Sequence, residues 1–326
     1  MVRAFVTGAT GQDGSYLVER LLADGVEVHA LVRRQTEPET TAIPAAVVEH
    51  VGDLADPATL HRAIDAAAPQ IIYNLGGISS VAASWSDPLA TSAVTGTAVG
   101  VILEAAWRLR EAGAGDVRVV QASSAEIFAG TAVVPQDERT PIAPINPYGA
   151  AKSYAAHLVD VYRRRGLHAA SAILYNHESP RRPVGFVTRK ITYSAAAIAA
   201  GTQDRLVLGD LSVRRDWGWA PDYVDALVRI AEADRPDDYV VATGTSHSIE
   251  DFLNVAFDEA GIGDWRPFVE TDPRFIRPTD AAELRGDPAR IARKLGWRPT
   301  VGFDELVRRM VRHDLELARI DLPTGS

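Results

Sequence analysis

Tyr148 and Lys152 stand four residues apart in the stretch "NPYGAAKSYA", a spacing that puts both side chains on one face of a helix. A lysine ammonium beside a phenol favours the phenolate. A tyrosine tuned in this way can remove a proton from a sugar or alcohol hydroxyl near neutral pH. Ser123 and Ser124 close the strand-like run "VRVVQASS" upstream, where a hydroxyl can orient the same oxygen. Asn146-Pro147 sets the entry to the helix. On its own the pair reads equally well as a helix packed on a half-buried tyrosine, so the surrounding chain has to separate the two readings.

A second constellation lies at the start of the chain. "VTGATGQDG" places Gly8, Gly11 and Gly14 directly after the first strand-like run. Glycines there let the backbone turn sharply and approach a pyrophosphate, which then rests on the N-terminal amides of the next helix. The bland alternative is a tight turn. The second strand ends "LVRRQ", so Arg33 and Arg34 stand where an acidic residue would bond the ribose of NAD. Arginine there accommodates a 2′-phosphate and points to NADP rather than NAD; two solvated arginines are the competing reading. Asp53, closing the third strand in "VGDL", suits either an adenine contact or a helix N-cap.

These residues need a scaffold. Val- and Ile-rich runs at 3–8, 27–34, 47–53, 71–76, 117–124 and 169–176 alternate with amphipathic patterns, the mark of βαβ units and a buried parallel sheet. The expected fold is α/β: a doubly wound parallel sheet of Rossmann type with a smaller, mixed α/β substrate-binding lid. After Asn176 proline and arginine become more frequent, and "DYVDALVRIAEADRPDDYVVATG" (222–244) reads as a helix and strand that return to the sheet. The expected division is a dinucleotide-binding domain over residues 1–176 plus about 214–244. Residues of about 177–213 plus 245–326 form a second domain at the sheet's carboxyl edge, where open α/β sheets bind ligands.

Composition bounds the function. The chain has 326 residues, 46% hydrophobic and 24% charged, with a formal charge of −9. No basic surface is implied, so nucleic acid is not an expected partner. There are no cysteines, which excludes disulfides, thiolate chemistry and Cys-based zinc sites. The eight histidines are dispersed without ligand spacing, so no metal is expected. "MVRAFVTGAT" reads as strand and turn, and the small-residue run 194–201 is too short to span a bilayer. The expectation is a cytoplasmic protein without a membrane partner. Trp217 and Trp219 read as packing residues rather than a stacking platform.

Together, Gly-x-x-Gly-x-x-Gly, a hydroxyl at the end of the fifth strand and Tyr-x-x-x-Lys resemble the extended short-chain dehydrogenase/reductases. The stretches "TGATGQDGSYLVERLL", "NPYGAAKSYA", "LYNHESPRRPVGFVTRKI" and "RRDWGWAPDYVDAL" resemble more closely the GDP-mannose 4,6-dehydratases among them, and such stretches run nearly the whole length. That resemblance implies a nucleotide-sugar 4,6-dehydratase of deoxysugar biosynthesis. NADP takes hydride from sugar C4, water leaves C5–C6, and hydride returns to C6, converting GDP-mannose to GDP-4-keto-6-deoxymannose. It implies Tyr148 as the hydroxyl base, Lys152 as its tuning partner, Ser124 as the assisting hydroxyl and Glu126 as the base at C5. Ser124 and Glu126 are two apart, so an extended segment would point them the same way. By the same resemblance Gly8, Thr10, Gly11, Gln12, Asp13, Gly14, Arg33, Asp53, Leu54, Leu75, Tyr148 and Lys152 hold the cofactor. Asn176, Val187, Lys190, Arg215, Arg277 and Glu283 hold the GDP-hexose. A homodimer or homotetramer is implied. The chain departs from the family in Ala125 and Phe128 of "SSAEIF", and in Ile78 and Ser80 of "NLGGISSV". An epimerase or 4-ketoreductase of the same superfamily would not need Glu126, and a non-catalytic NADP-binding protein would need none of the four catalytic residues.

Overall fold

The computed structural model describes residues 2–33, 41–113, 115–276 and 278–321. β1 (Arg3–Thr7) feeds α1 (Gln12–Ala23), followed by β2 (Glu27–Val32), β3 (Val48–Val51), α2 (Pro57–Ala67) and β4 (Ile71–Asn74). α3 (Val81–Ser86) and α4 (Pro88–Thr91) lead through a π-helical turn, Ser92–Thr97, into α5 (Ala98–Glu111). β5 (Arg118–Ser124) ends in a 3-10 turn, Ala125–Phe128, and α6 (Pro147–Arg164) and β6 (His168–Leu174) follow. The second half carries β7 (Asn176–Glu178), α7 (Val187–Ala199), β8 (Leu206–Leu208), β9 (Arg214–Arg215), β10 (Trp217–Trp219), α8 (Ala220–Glu232) and β11 (Asp238–Val241). It closes with β12 (His247–Ser248), α9 (Ile249–Glu259), β13 (Val269–Thr271), β14 (Glu283–Leu284), α10 (Ala289–Leu295) and α11 (Phe303–Asp321).

Seven strands form one sheet in the order β11-β6-β5-β4-β1-β2-β3, every pairing parallel. Helices cover both faces. Val6, Leu17, Val120 and Leu227 pack on one side, and Phe5, Leu60, Ile102 and Val159 on the other. This two-sided burial explains the unbroken apolar strands, of which β6 is buried at all seven positions. β11 joins β6, so the helix and strand expected to return to the sheet do so. A third core lies beyond the sheet, where Trp217 packs with Ile191, Phe252, Leu253 and Met310 between α7, α9 and α11. Trp217 is thus a packing residue, as its type suggested.

The helix Pro88–Glu111 has a mean hydropathy of 1.5 and is long enough to cross a bilayer, yet half of its apolar stretch is buried within the protein. Its Ala98, Val99, Ile102 and Leu103 belong to the core beside α2 and α6.

Candidate active site

The sheet order reverses between β1 and β4, and ligands of open α/β sheets bind at such a switch point. The glycine loop sits there. Gly8 takes φ +71°, and a Cβ on it would meet the Gly76 amide nitrogen at 2.8 Å. A Cβ on Gly14 would lie 2.0 Å from the Gly8 carbonyl oxygen, so only glycine lets α1 close on β1. Gly11 caps α1 without a side chain, which leaves that helix end suited to an anion. Leu54 touches the same corner, since a Cβ on Gly76 would strike its Cδ1 at 2.5 Å. This cradle fits a dinucleotide pyrophosphate. Thr10 adds a backbone tie, its carbonyl accepting from the Thr41 amide at 2.9 Å.

Along the carboxyl edge of the sheet runs a cleft of ≈ 550 Å³. Ser124, Glu126, Tyr148 and Lys152 all line it. Tyr148 is 8% exposed and lines the cleft with Ser124. Burial pushes its phenol up to about 12; the nearby Ser124 hydroxyl opposes this and the Glu126 charge adds to it. Lys152 is 5% exposed and donates to the Ala122 carbonyl at 2.6 Å, with Nζ 5.7 Å from the Tyr148 ring. Burial pulls its amine down to about 8. Burial therefore works against the tuning expected from the lysine. Desolvation acts on the whole phenol, while the lysine spends a donor on Ala122.

A buried polar chain fixes that carbonyl. The Gly76 amide donates to Thr7 Oγ1 at 3.0 Å, Thr7 to Asn74 at 2.5 Å, Asn74 to Gln121 at 2.6 Å, and Gln121 Nε2 to the Ala122 oxygen at 2.8 Å. A backbone N–H only donates and a carbonyl only accepts, so the direction of the chain is set at both ends.

Glu126 reaches the cleft differently from the extended geometry expected. Ser124 is extended (φ −151°, ψ 147°) and accepts from the Glu126 amide at 3.2 Å, starting the 3-10 turn that carries Glu126. The two side chains still meet on the same cleft wall. Asn146 Nδ2 donates to Glu126 Oε2 at 2.8 Å.

The second half closes the other wall. Asn176, Val187, Lys190 and Arg215 all line the cleft. Lys190 donates to the Val207 carbonyl at 2.7 Å and lies over the Phe275 ring; burial lowers its amine from the usual value. Arg215 is 5% exposed, donates to the Arg214 and Ala281 carbonyls at 2.8 Å each, and pairs with Asp280. Glu283 is not on the cleft wall: it accepts from Ser246 and faces Arg285 Nε at 3.3 Å. Arg34 and Arg277 lie outside the described residues.

Other expectations resolve into structural ties. Asp53 accepts from the Ala55 amide at 2.8 Å, and the N-cap of α2 is Asp56, so the capping alternative for Asp53 is wrong by one turn of chain. Ser80 caps α3, accepting from the Ala83 amide at 3.1 Å. Ala125 and Phe128 are core residues. Gln12 is buried; it donates to the His177 carbonyl at 3.0 Å and accepts from Ser179 at 2.9 Å, holding the glycine loop to the "NHESP" stretch.

Two cleft residues, His177 and Arg182, and one supporting residue, Thr95, escaped the sequence reading. His177 faces Asp13 at 2.7 Å through Nε2 and the Tyr175 carbonyl at 2.7 Å through Nδ1. Two acceptor oxygens call for two N–H donors, the protonated ring. Burial alone would lower its pKa, but the Asp13 charge and hydrogen bond win and raise it. The partner Asp13 is pushed up by burial and held below its usual value by His177. Arg182 also lines the cleft. Thr95, in the π-helical turn, accepts from the Ile78 amide at 3.0 Å and holds the loop after β4 against the site. Histidine within "NHESP" was the available signal for the first; for Thr95 there was none. Among the described residues no cluster of histidine and carboxylate could hold a metal.

Comparison with known proteins sets this geometry in context. The family model for GDP-mannose 4,6 dehydratase matches residues 5–310. The chain belongs to the GDP-mannose 4,6-dehydratase family. GDP-mannose 4,6 dehydratase 1 of Arabidopsis thaliana is 44% identical to it, over 97% of this chain and 90% of the relative. The human GDP-mannose 4,6 dehydratase is 41% identical, over 97% and 92%. Among solved structures, UDP-glucose 4-epimerase of Thermus thermophilus in complex with NAD superposes with a TM-score of 0.82 at 27% identity, covering 96% of this chain and 99% of that one.

Proposed function

We propose that the protein dehydrates GDP-mannose to GDP-4-keto-6-deoxymannose and water, with NADP as a cofactor regenerated in each turnover. When bound, the nicotinamide would accept a hydride from the sugar and later return it. Tyr148 Oη takes the proton of the C4 hydroxyl, assisted by the Ser124 hydroxyl beside it in the cleft. Lys152, held by Ala122 and close to Tyr148, supplies positive charge beside the phenol. Glu126 takes the C5 proton once the 4-ketone has acidified it. Water is then lost across C5–C6.

One observation carries this reading. Glu126 is a second proton-accepting group, separate from Tyr148, on the same cleft wall, and an epimerase or simple reductase has no use for it. The relatives' names support GDP-mannose as the substrate. Asn176, Val187, Lys190 and Arg215 form the nucleotide-sugar end, where the planar fork of Arg215 suits a diphosphate. Gly8, Gly11, Gly14, Leu54 and Leu75 form the cofactor end. NADP over NAD rests on Arg33 at the end of β2, in place of an acidic residue. We keep the division into a dinucleotide-binding part (1–176 plus about 214–244) and a nucleotide-sugar-binding part, and we read the protein as a cytoplasmic homo-oligomer without nucleic-acid or membrane partners. The separate core around Trp217 supports the division.

The test is direct. The purified protein is incubated with GDP-mannose without added reductant, and the product mass is recorded. Loss of one water with no net change in nicotinamide absorbance is expected. An unchanged mass with an altered sugar configuration would replace the reading by epimerisation.

A further inference from the structure

Asn146 is 6% exposed and makes two bonds of opposite sense. Its Oδ1 accepts from the Gly149 amide at 2.7 Å and caps α6, while its Nδ2 donates to Glu126 Oε2 at 2.8 Å. The Gly149 amide can only donate, so the orientation of the Asn146 side chain is decided by the cap. Its NH₂ group is then forced toward the carboxylate. The contact is tight: a Cβ on Gly149 would lie 2.6 Å from the Glu126 carbonyl oxygen. The first turn of α6 and the 3-10 turn holding Glu126 are thus packed as one unit. Among the described residues no hydrogen bond is made to Glu126 Oε1, which leaves that oxygen for the substrate.

We propose that Asn146 is a positioning residue for proton abstraction by Glu126, fixing Oε2 so that Oε1 is aimed at the sugar. This rests on the dehydratase reading given above. The residue type matters. Serine and aspartate cap helices as well as asparagine does, but aspartate has no donor and a serine hydroxyl is too short to bridge to Glu126 while capping. Asparagine does both, and so couples the helix bearing Tyr148 and Lys152 to the carboxylate that acts in a different step.

The experiment compares wild type, Asn146→Ser and Asn146→Asp with GDP-mannose, following cofactor reduction in single turnovers, loss of water by mass, and thermal stability. Asn146→Ser is expected to keep melting temperature, KM and cofactor reduction near wild type. Its dehydration rate should fall about 10- to 100-fold, as expected when a reacting group is misplaced by about 1 Å. Reduced cofactor would then accumulate. Asn146→Asp, with an oxygen where Nδ2 donated, should lose at least as much. Two results overturn the proposal: variants that dehydrate at the wild-type rate, or variants that lose oxidation and dehydration in equal proportion, the mark of a structural role alone. A wild type that never dehydrates GDP-mannose would remove the dehydratase reading and this inference with it, and that outcome is visible before any variant is made.

Discussion

At one end of the cleft, Ser124, Glu126, Tyr148 and Lys152 come from a single stretch of chain, β5 through the first turns of α6. At the other end, Asn176, Val187, Lys190 and Arg215 arrive from β7, α7 and β9. The proposed catalytic end is built from elements that follow one another in the chain, a strand end, a 3-10 turn and an Asn-Pro helix start, and is pinned from outside by the Thr7, Asn74 and Gln121 chain behind the Ala122 carbonyl. The proposed nucleotide end is assembled from separate elements. Arg215 is fixed by the Ala281 carbonyl and Asp280, and Lys190 by Val207. The difference teaches that the two ends have separate failure modes. Damage at the first should appear in the chemical steps, and damage at the second in substrate affinity and stability.

The largest expected effect is at the base. Tyr148→Phe should abolish even cofactor reduction, with a fall in kcat of about 10³-fold or more, as for loss of a general base. Measurement of single-turnover reduction checks it. Next comes Glu126→Gln, which should reduce the cofactor at close to the wild-type rate while the overall reaction falls about 10²-fold or more. Full turnover by this variant would sink the assignment of Glu126 and, with it, the two-step character of the catalytic end.

At the nucleotide end, Arg215→Met should raise KM about 10- to 100-fold, the size of one or two charged hydrogen bonds, and leave kcat within a few-fold. Because Arg215 is buried and paired, the melting temperature should fall as well. A drop in kcat without a change in KM would break the separation between the two ends.

The smallest effect concerns the pair that joins the cofactor loop to the second half, Asp13 with His177. The His177 pKa is raised above 6.5 in the folded protein, so its contribution to stability is complete below pH 6.5 and is lost as pH climbs through the folded value. Asp13 is held below 3.8, so its contribution is present above pH 3.8 and disappears as pH falls through the lower folded value. His177→Gln should therefore lower the melting temperature most between about pH 4 and 6.5, by a few degrees for a loss of about 1 kcal/mol. The gap from wild type should narrow at alkaline pH. A constant difference across pH would show that shape, through stacking on Tyr223, matters more than charge.

Much of the fold and of the catalytic end was legible in the chain. The strand and helix rhythm, the glycine loop, the Asn-Pro entry to α6 and the four residues on one cleft wall are all recovered in the structure. The first three depend on neighbours a few positions away: periodicity, a cap, a residue able to take φ +71°; the fourth was carried by the family resemblance. What the sequence left undecided involves partners distant in the chain. Whether Asp53 caps a helix, whether Glu283 reaches the cleft, and which residue holds Glu126 were settled only by the packed chain. The raised phenol of Tyr148 and the charged pair of Asp13 and His177 belong to the same class. Backbone preference acts locally and can be read in order along the chain. Desolvation and hydrogen-bond partnership act between surfaces that meet only after folding, so the tertiary structure alone assigned them.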